Sequence, residues 1–182
     1  MNENPTLLDE AVGYIQLGLV KNLGWLDMAF GRAERLVKMI ENKKYFTPNI
    51  YLGNENEYIP VSPDSKHGNF CFFYTEDPQD LDWIPNIRGD IKSPVSIIFW
   101  FDMKRVFNNS SIRNKELLKE EILKVLNGGF WMQNGRLKIN RIFEQAENIY
   151  RGFTLDEVDN QFLMHPFAGF RFEGEIIINE NC

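Results

Sequence analysis

Val95-Ser-Ile-Ile-Phe-Trp-Phe101 decides the fold class of this chain. Val95, Ile97, Phe99 and Phe101 form one alternate set, and Ile98 and Trp100 form the other. Side chains in a strand alternate between two faces, so a run that is apolar on both has no side left for water. It reads as a central strand of a sheet covered on both faces. Working outward, residues 49–52, 58–61 and 70–74 supply further short strands. The turn-rich stretch from Ser62 to Asn69 suits a hairpin between the last two. Residues 76–90 carry five acids and one Arg, with Pro78 and Pro85 barring a helix, and read as a long acidic surface loop.

Helices are expected at the start of the chain. Thr6 and Asp9 fit a capping box, and Leu8, Ala11, Val12, Ile15 and Leu19 follow at helical spacing. Gly13 and Gly18 either weaken this helix or allow close packing against a neighbour. Leu26, Phe30, Ala33, Leu36, Val37 and Ile40 then form a second stripe with helical period, with Arg32, Arg35 and Lys38 lying off it. From Arg32 to Lys44 there are five basic and two acidic residues. This is either a solvated helix face or a docking surface for an acidic partner.

Later in the chain, 114–127 reads as a helix with Leu118, Ile122, Val125 and Leu126 inward, stopped by Gly128-Gly129. Residues 136–140 alternate as a half-exposed strand, 144–153 fit strand or helix equally, and 154–162 suggest a helical turn. In the closing strand, Phe170, Phe172, Ile176 and Ile178 share one face, and Arg171, Glu173 and Glu175 share the other as a solvated charged ladder. The segment from His165 to Glu173 reads either as a sheet edge or barrel corner, or as an edge that pairs with a neighbouring chain. The expectation is an α+β fold with a mainly antiparallel sheet, two N-terminal helices and one further helix packed on it. It spans 1–182 as a single domain, with a helical part over 1–44 and a sheet with an inserted helix over 45–182.

The 182 residues are 43% hydrophobic, 25% charged and 14% aromatic. A chain of this length can bury about 70% of its unfolded surface and needs no disulfide or metal staple. A net charge of −6 argues against a protein held on nucleic acid by phosphate contacts. Two cysteines, no apolar run long enough for a membrane span and no secretory signal lead to a reducing intracellular compartment. A catalytic site is hard to assemble from these residues. Cys71 with His67 across the expected hairpin is conceivable, but a thiol in so apolar a strand usually behaves as a small buried hydrophobe. The His and Cys residues lack metal-ligand spacing. Glu173 and Glu175 point the same way but share their face with Arg171, and no glycine-rich phosphate loop is present.

The layout nevertheless resembles the tail-terminator and tail-completion (head–tail joining) proteins of tailed bacteriophages, especially those carried by prophages of anaerobic gut bacteria. The resemblance lies in the leading helix, Pro48-Asn-Ile-Tyr51 and Glu57-Tyr-Ile-Pro60 entering the sheet, and the Pro94 to Phe101 strand. The 114–127 helix and the closing Phe170-Arg-Phe-Glu-Gly-Glu175 strand complete it. The second N-terminal helix and the acidic 76–90 loop depart from that layout. The resemblance implies a non-enzymatic homo-oligomer, commonly a hexameric ring, without cofactor or metal. Such a ring caps the tail tube, docks the head connector, and is made in the bacterial cytoplasm before joining the virion. Interface candidates are Arg32, Arg35, Lys38, Phe170, Arg171, Phe172, Glu173 and Glu175. The alternatives are an adaptor binding a peptide at an exposed sheet edge, and a small enzyme.

Overall fold

A computed structural model of the chain describes residues 7–53, 57–64, 66–84, 88–109, 114–127, 131–132, 135–156 and 158–180. The Thr6 cap and the Gly128-Gly129 helix stop lie outside these residues. The fold is mixed α and β with a mostly antiparallel nine-stranded sheet. Its strands are β1 (Met28–Ile40), β2 (Lys43–Tyr51), β3 (Tyr58–Pro60), β4 (Phe70–Thr75), β5 (Asp80–Ile84), β6 (Arg88–Asp102), β7 (Trp131–Met132), β8 (Gly135–Phe143) and β9 (Phe167–Glu180). The helices are α1 (Leu7–Asn22), α2 (Met103–Phe107), α3 (Lys115–Asn127) and the single turn α4 (Ala146–Ile149), with a 3-10 turn at Asn160–Leu163. The strands run in the order β3-β2-β1-β4-β6-β9-β8-β7, and β5 pairs with the first part of β6. Among the described residues only β1 and β4 pair in parallel.

β6 is central, as its composition requires. Val95, Ile97, Phe99 and Phe101 enter one buried cluster with α1, α3 and Met103. Ile98 and Trp100 enter a second cluster on the opposite face, with Phe72, Ile149 and Tyr150. α1 buries Leu8, Ala11, Val12, Ile15 and Leu19, and α3 buries Leu118, Ile122 and Leu126. Both helices thus place one apolar stripe on the same side of the sheet. At one end of the sheet Asn69, itself buried, ties three strands together. Its amide N–H donates to Asp27 Oδ2 (2.7 Å), its side-chain N–H to the Trp25 carbonyl (2.9 Å), and its Oδ1 accepts from the Asp102 N–H (2.8 Å).

Four sequence expectations are corrected. The second N-terminal helix is instead β1, and it pairs with β2 from Ala33↔Ile50 to Ile40↔Lys43. A β-bulge between Ala29 and Arg32 puts an extra residue into β1, so Phe30 and Ala33 reach the same buried cluster three residues apart. That phase shift is what imitates a helical period. No hairpin joins the strands flanking 62–69, because β3 pairs with β2 while β4 lies between β1 and β6. Much of the expected acidic loop is β5 and the start of β6. Finally, β9 is not an edge. It pairs with β6 from Gly89↔Glu180 to Asp102↔Phe167, and with β8 on its other side.

The end of β8 is pinned to α3 by Glu144, whose carboxylate meets Lys115 at 2.7 Å and Lys119 at 2.6 Å. Partial burial alone would raise this carboxyl's pKa, but hydrogen bonds and charge from the two ammonium groups outweigh it and hold the pKa below the ordinary value. The folded state therefore binds this proton less readily than the unfolded chain. The stability it contributes is complete above the ordinary Glu range and is lost as pH falls through that range towards the folded value. Glu144→Gln is expected to flatten the acid limb of a stability-against-pH curve from chemical denaturation, with little change in slope near neutrality.

Candidate assembly surfaces

The first surface is a two-stranded arm. β1 and β2 are joined by Glu41 and Asn42, both at positive φ (48° and 63°), which is the backbone of a two-residue primed turn. Such a turn matches the right-handed twist of the flanking strands and holds a tight hairpin. β1 leaves β4 after Arg32↔Phe73, so its outer half pairs on one side only, with β2. On the far side of β2, Phe46 is held by Thr154. The Phe46 N–H donates to Thr154 Oγ1 (3.0 Å), and the Thr154 N–H donates to the Phe46 carbonyl (2.8 Å). Beyond that clamp, residues 36–45 make no hydrogen bond outside their own hairpin among the described residues. Val37 is 54% exposed and Met39 59%, which is unusual for apolar side chains projecting from the middle of a strand. The Arg35 guanidinium carbon sits over the Phe46 ring, 3.8 Å from its centroid, a cation–π contact at the base of the arm.

The sequence candidates separate into two groups. Arg32, Arg35 and Lys38 all lie exposed on β1, as strand rather than helix residues. Arg32 is engaged with Asp9 of α1 at 2.9 Å, and Lys38 makes no ion pair among the described residues. Phe170 and Phe172 are fully buried beneath the helices and present no surface. Arg171 and Glu173 are not a solvated ladder either. Arg171 has 0% exposure; its Nη1 donates to the Arg151 carbonyl (2.8 Å) and its Nη2 to Glu76 (3.0 Å). Its Nε lies 2.8 Å from Glu173 Oε1, close enough to pair charge but not aligned as a hydrogen bond. Glu173 also accepts from Arg151 at 2.6 Å. Glu175 is half-buried on the same strand face. These charges fasten the α4 segment and the end of β4 onto β9, so they hold the fold together. Sequence reasoning missed this because an Arg-x-Glu alternation looks the same whether the face is wet or covered.

The chemical alternatives fare differently. Cys71 is buried in the helix-side cluster, and burial pushes its thiol well above the ordinary range, which disfavours the thiolate there. The His67 ring packs edge-on against Phe30 and Phe70, which belong to the cluster on the opposite face, and its Nδ1 contacts Asp64 at 3.0 Å. The sheet itself therefore separates the Cys71–His67 pair. Glu173 faces two guanidinium groups and is not available as one half of a carboxylate pair. Among the described residues no group of three or more His, Cys, Asp or Glu side chains could hold a metal ion. No described helix is long and apolar enough to cross a membrane. A shallow cleft bordered by Trp25, Asp27, Asn69 and Arg105 has its polar groups already engaged, Asp27 with Arg105 at 3.2 Å and with Asn69.

The second surface is β5. Among the described residues it pairs only with β6; its residues Asp80, Leu81 and Asp82 are exposed, and Leu81 reaches 69%. Together the arm and β5 give the sheet two open edges away from its main ladder. No protein-family model matches the chain, and no curated protein matches it.

Proposed function

We propose that this chain is a structural subunit of a tailed-phage particle, a tail-terminator or tail-completion protein that assembles into a ring, caps the tail tube and receives the head connector. The observation that carries this reading is the arm. A hairpin whose outer part, residues 36–45, exposes Val37 and Met39 and among the described residues pairs only within itself costs stability in an isolated chain and repays it on assembly. The layout resemblance supplies the particular assembly. The engaged state of the buried charges and the shielded thiol support a structural role over a catalytic one, and the reading needs no cofactor. An overall acidic balance suits a ring through which DNA passes without being gripped. In this reading the protein is made in the bacterial cytoplasm and ends in the virion. The test is removal of its gene from the producing phage or prophage. Tubes of uncontrolled length and unjoined heads are expected by electron microscopy; tails of normal length joined to heads would exclude the role. A peptide-binding adaptor would use the same open edge of β1, and would be recognised by a monomer that captures a single extended segment.

A further inference from the structure

We infer that the arm of one copy docks on the β5 edge of the next copy, adding the outer half of β1 to the neighbour's sheet. The inference rests on the ring reading and specifies the contact that builds the ring. Both elements have one backbone edge unpaired among the described residues, so each offers N–H and C=O groups in strand geometry. Their charges are opposite. Residues 35–44 carry Arg35, Lys38, Lys43 and Lys44 against the single acid Glu41, while residues 77–82 carry Asp77, Asp80 and Asp82 and no basic residue, Asp82 sharing its charge with Lys92 of β6 at 3.7 Å.

The alternation also matches. On the arm, Val37 and Met39 point to one face and Lys38 to the other; on β5, Leu81 points to one face and Asp80 and Asp82 to the other. Directly opposed residues in a ladder share a face, so a pairing that sets Leu81 against Val37 or Met39 necessarily sets an aspartate against Lys38. The same charges disfavour the competing symmetric contacts. Two β5 edges would oppose aspartates to aspartates, and two arms would bring two basic strands together and oppose Lys38 to Lys38 in the register that sets Val37 against Met39, both destabilising. Lysine on an open strand, which guards against indiscriminate pairing, thereby selects an acidic edge. Within one copy the open edges of β1 and β5 face the same side of the sheet but share no ladder among the described residues, so each copy has one edge to give and another to receive. Such a head-to-tail interface generates a closed ring when its rotation closes.

The experiment compares the wild-type chain with two charge-reversed variants, Lys38→Glu/Lys43→Glu on the arm and Asp80→Lys/Asp82→Lys on β5, by native mass spectrometry and sedimentation. All four side chains are exposed, and unchanged thermal unfolding of each variant shows that any loss is not loss of fold. Each variant alone is expected to associate at least about tenfold more weakly than the wild type. An equimolar mixture of the two is expected to recover association, because the reversed arm now meets a reversed edge and the intact arm an intact edge. If the wild type forms multimers and either variant does so equally well, or the mixture stays dissociated, the docking is wrong while the ring reading survives. If the wild type itself never associates, the ring reading fails and the docking fails with it.

Discussion

Arg171→Met is expected to lower the stability of the chain by roughly 3 kcal/mol, read as a shift of the urea midpoint. The guanidinium has no exposed surface and serves three partners at once: the Arg151 carbonyl, Glu76 and Glu173. A methionine fills the volume but leaves the carbonyl without its donor, and leaves Glu173, with a side chain only 15% exposed, with one guanidinium instead of two. Arg171→Lys does not restore the fork, because an ammonium cannot reach three partners in one plane. The partners are unequal. Glu76 is 47% exposed, so water replaces much of its contact, and Glu76→Gln is expected to cost less than about 1 kcal/mol. The double change Arg171→Met/Glu173→Leu is expected to lose less than the two single changes together, since removing both charges leaves neither one buried alone. A loss below about 1 kcal/mol for Arg171→Met would show that the network contributes little.

Gly174→Ala is expected to be at least as damaging, at about 3 kcal/mol or more. Gly174 sits in the middle of β9, opposite Val95 of β6 on one side and Ile139 of β8 on the other, where the β8 register shifts. A Cβ at this position would run into the Lys138 carbonyl and the backbone of Ile139. Backbone cannot rotate aside as a side chain can, so β8 and β9 would have to separate and surrender ladder hydrogen bonds. Gly13 of α1 provides the contrast. Nothing lies within 4 Å of a Cβ there, so close packing does not explain that glycine, and Gly13→Ala is expected to stabilise the protein by about 1 kcal/mol. Opposite signs for the two alanines, measured in one denaturation series, would separate steric need from helix propensity.

What was legible in the sequence was whatever obeyed one period without interruption. β6 announces its two apolar faces by strict alternation, and α1, α3 and the apolar face of β9 bury the residues their spacing selects, except that Val125 of α3 is only half-buried. The arm was not legible, because one bulge residue near Gly31 shifts the phase of β1 and turns a strand period into an apparent helical one. Its Arg, Glu, Leu, Lys and Met residues also favour helix, and only pairing with β2 overrides that preference. The Glu41-Asn42 turn was the local signal available, since asparagine tolerates the positive φ such a turn needs. Arg171 escaped for another reason. Whether an alternating charged face is wet or covered depends on the 145–156 segment, which lies across the second face of the sheet through Ile149, Tyr150 and Phe153, and no local pattern encodes that. The candidate surfaces were half visible: Arg35 and Lys38 were singled out for their charge, but on the wrong kind of element.

The central claim is that this chain assembles through its arm. Native mass spectrometry of the purified wild-type protein over a range of concentrations tests it most directly. The account predicts a closed multimer that grows in with concentration, at about 128 kDa if six copies of 21.4 kDa close the ring. A single species of 21.4 kDa at every concentration would contradict it.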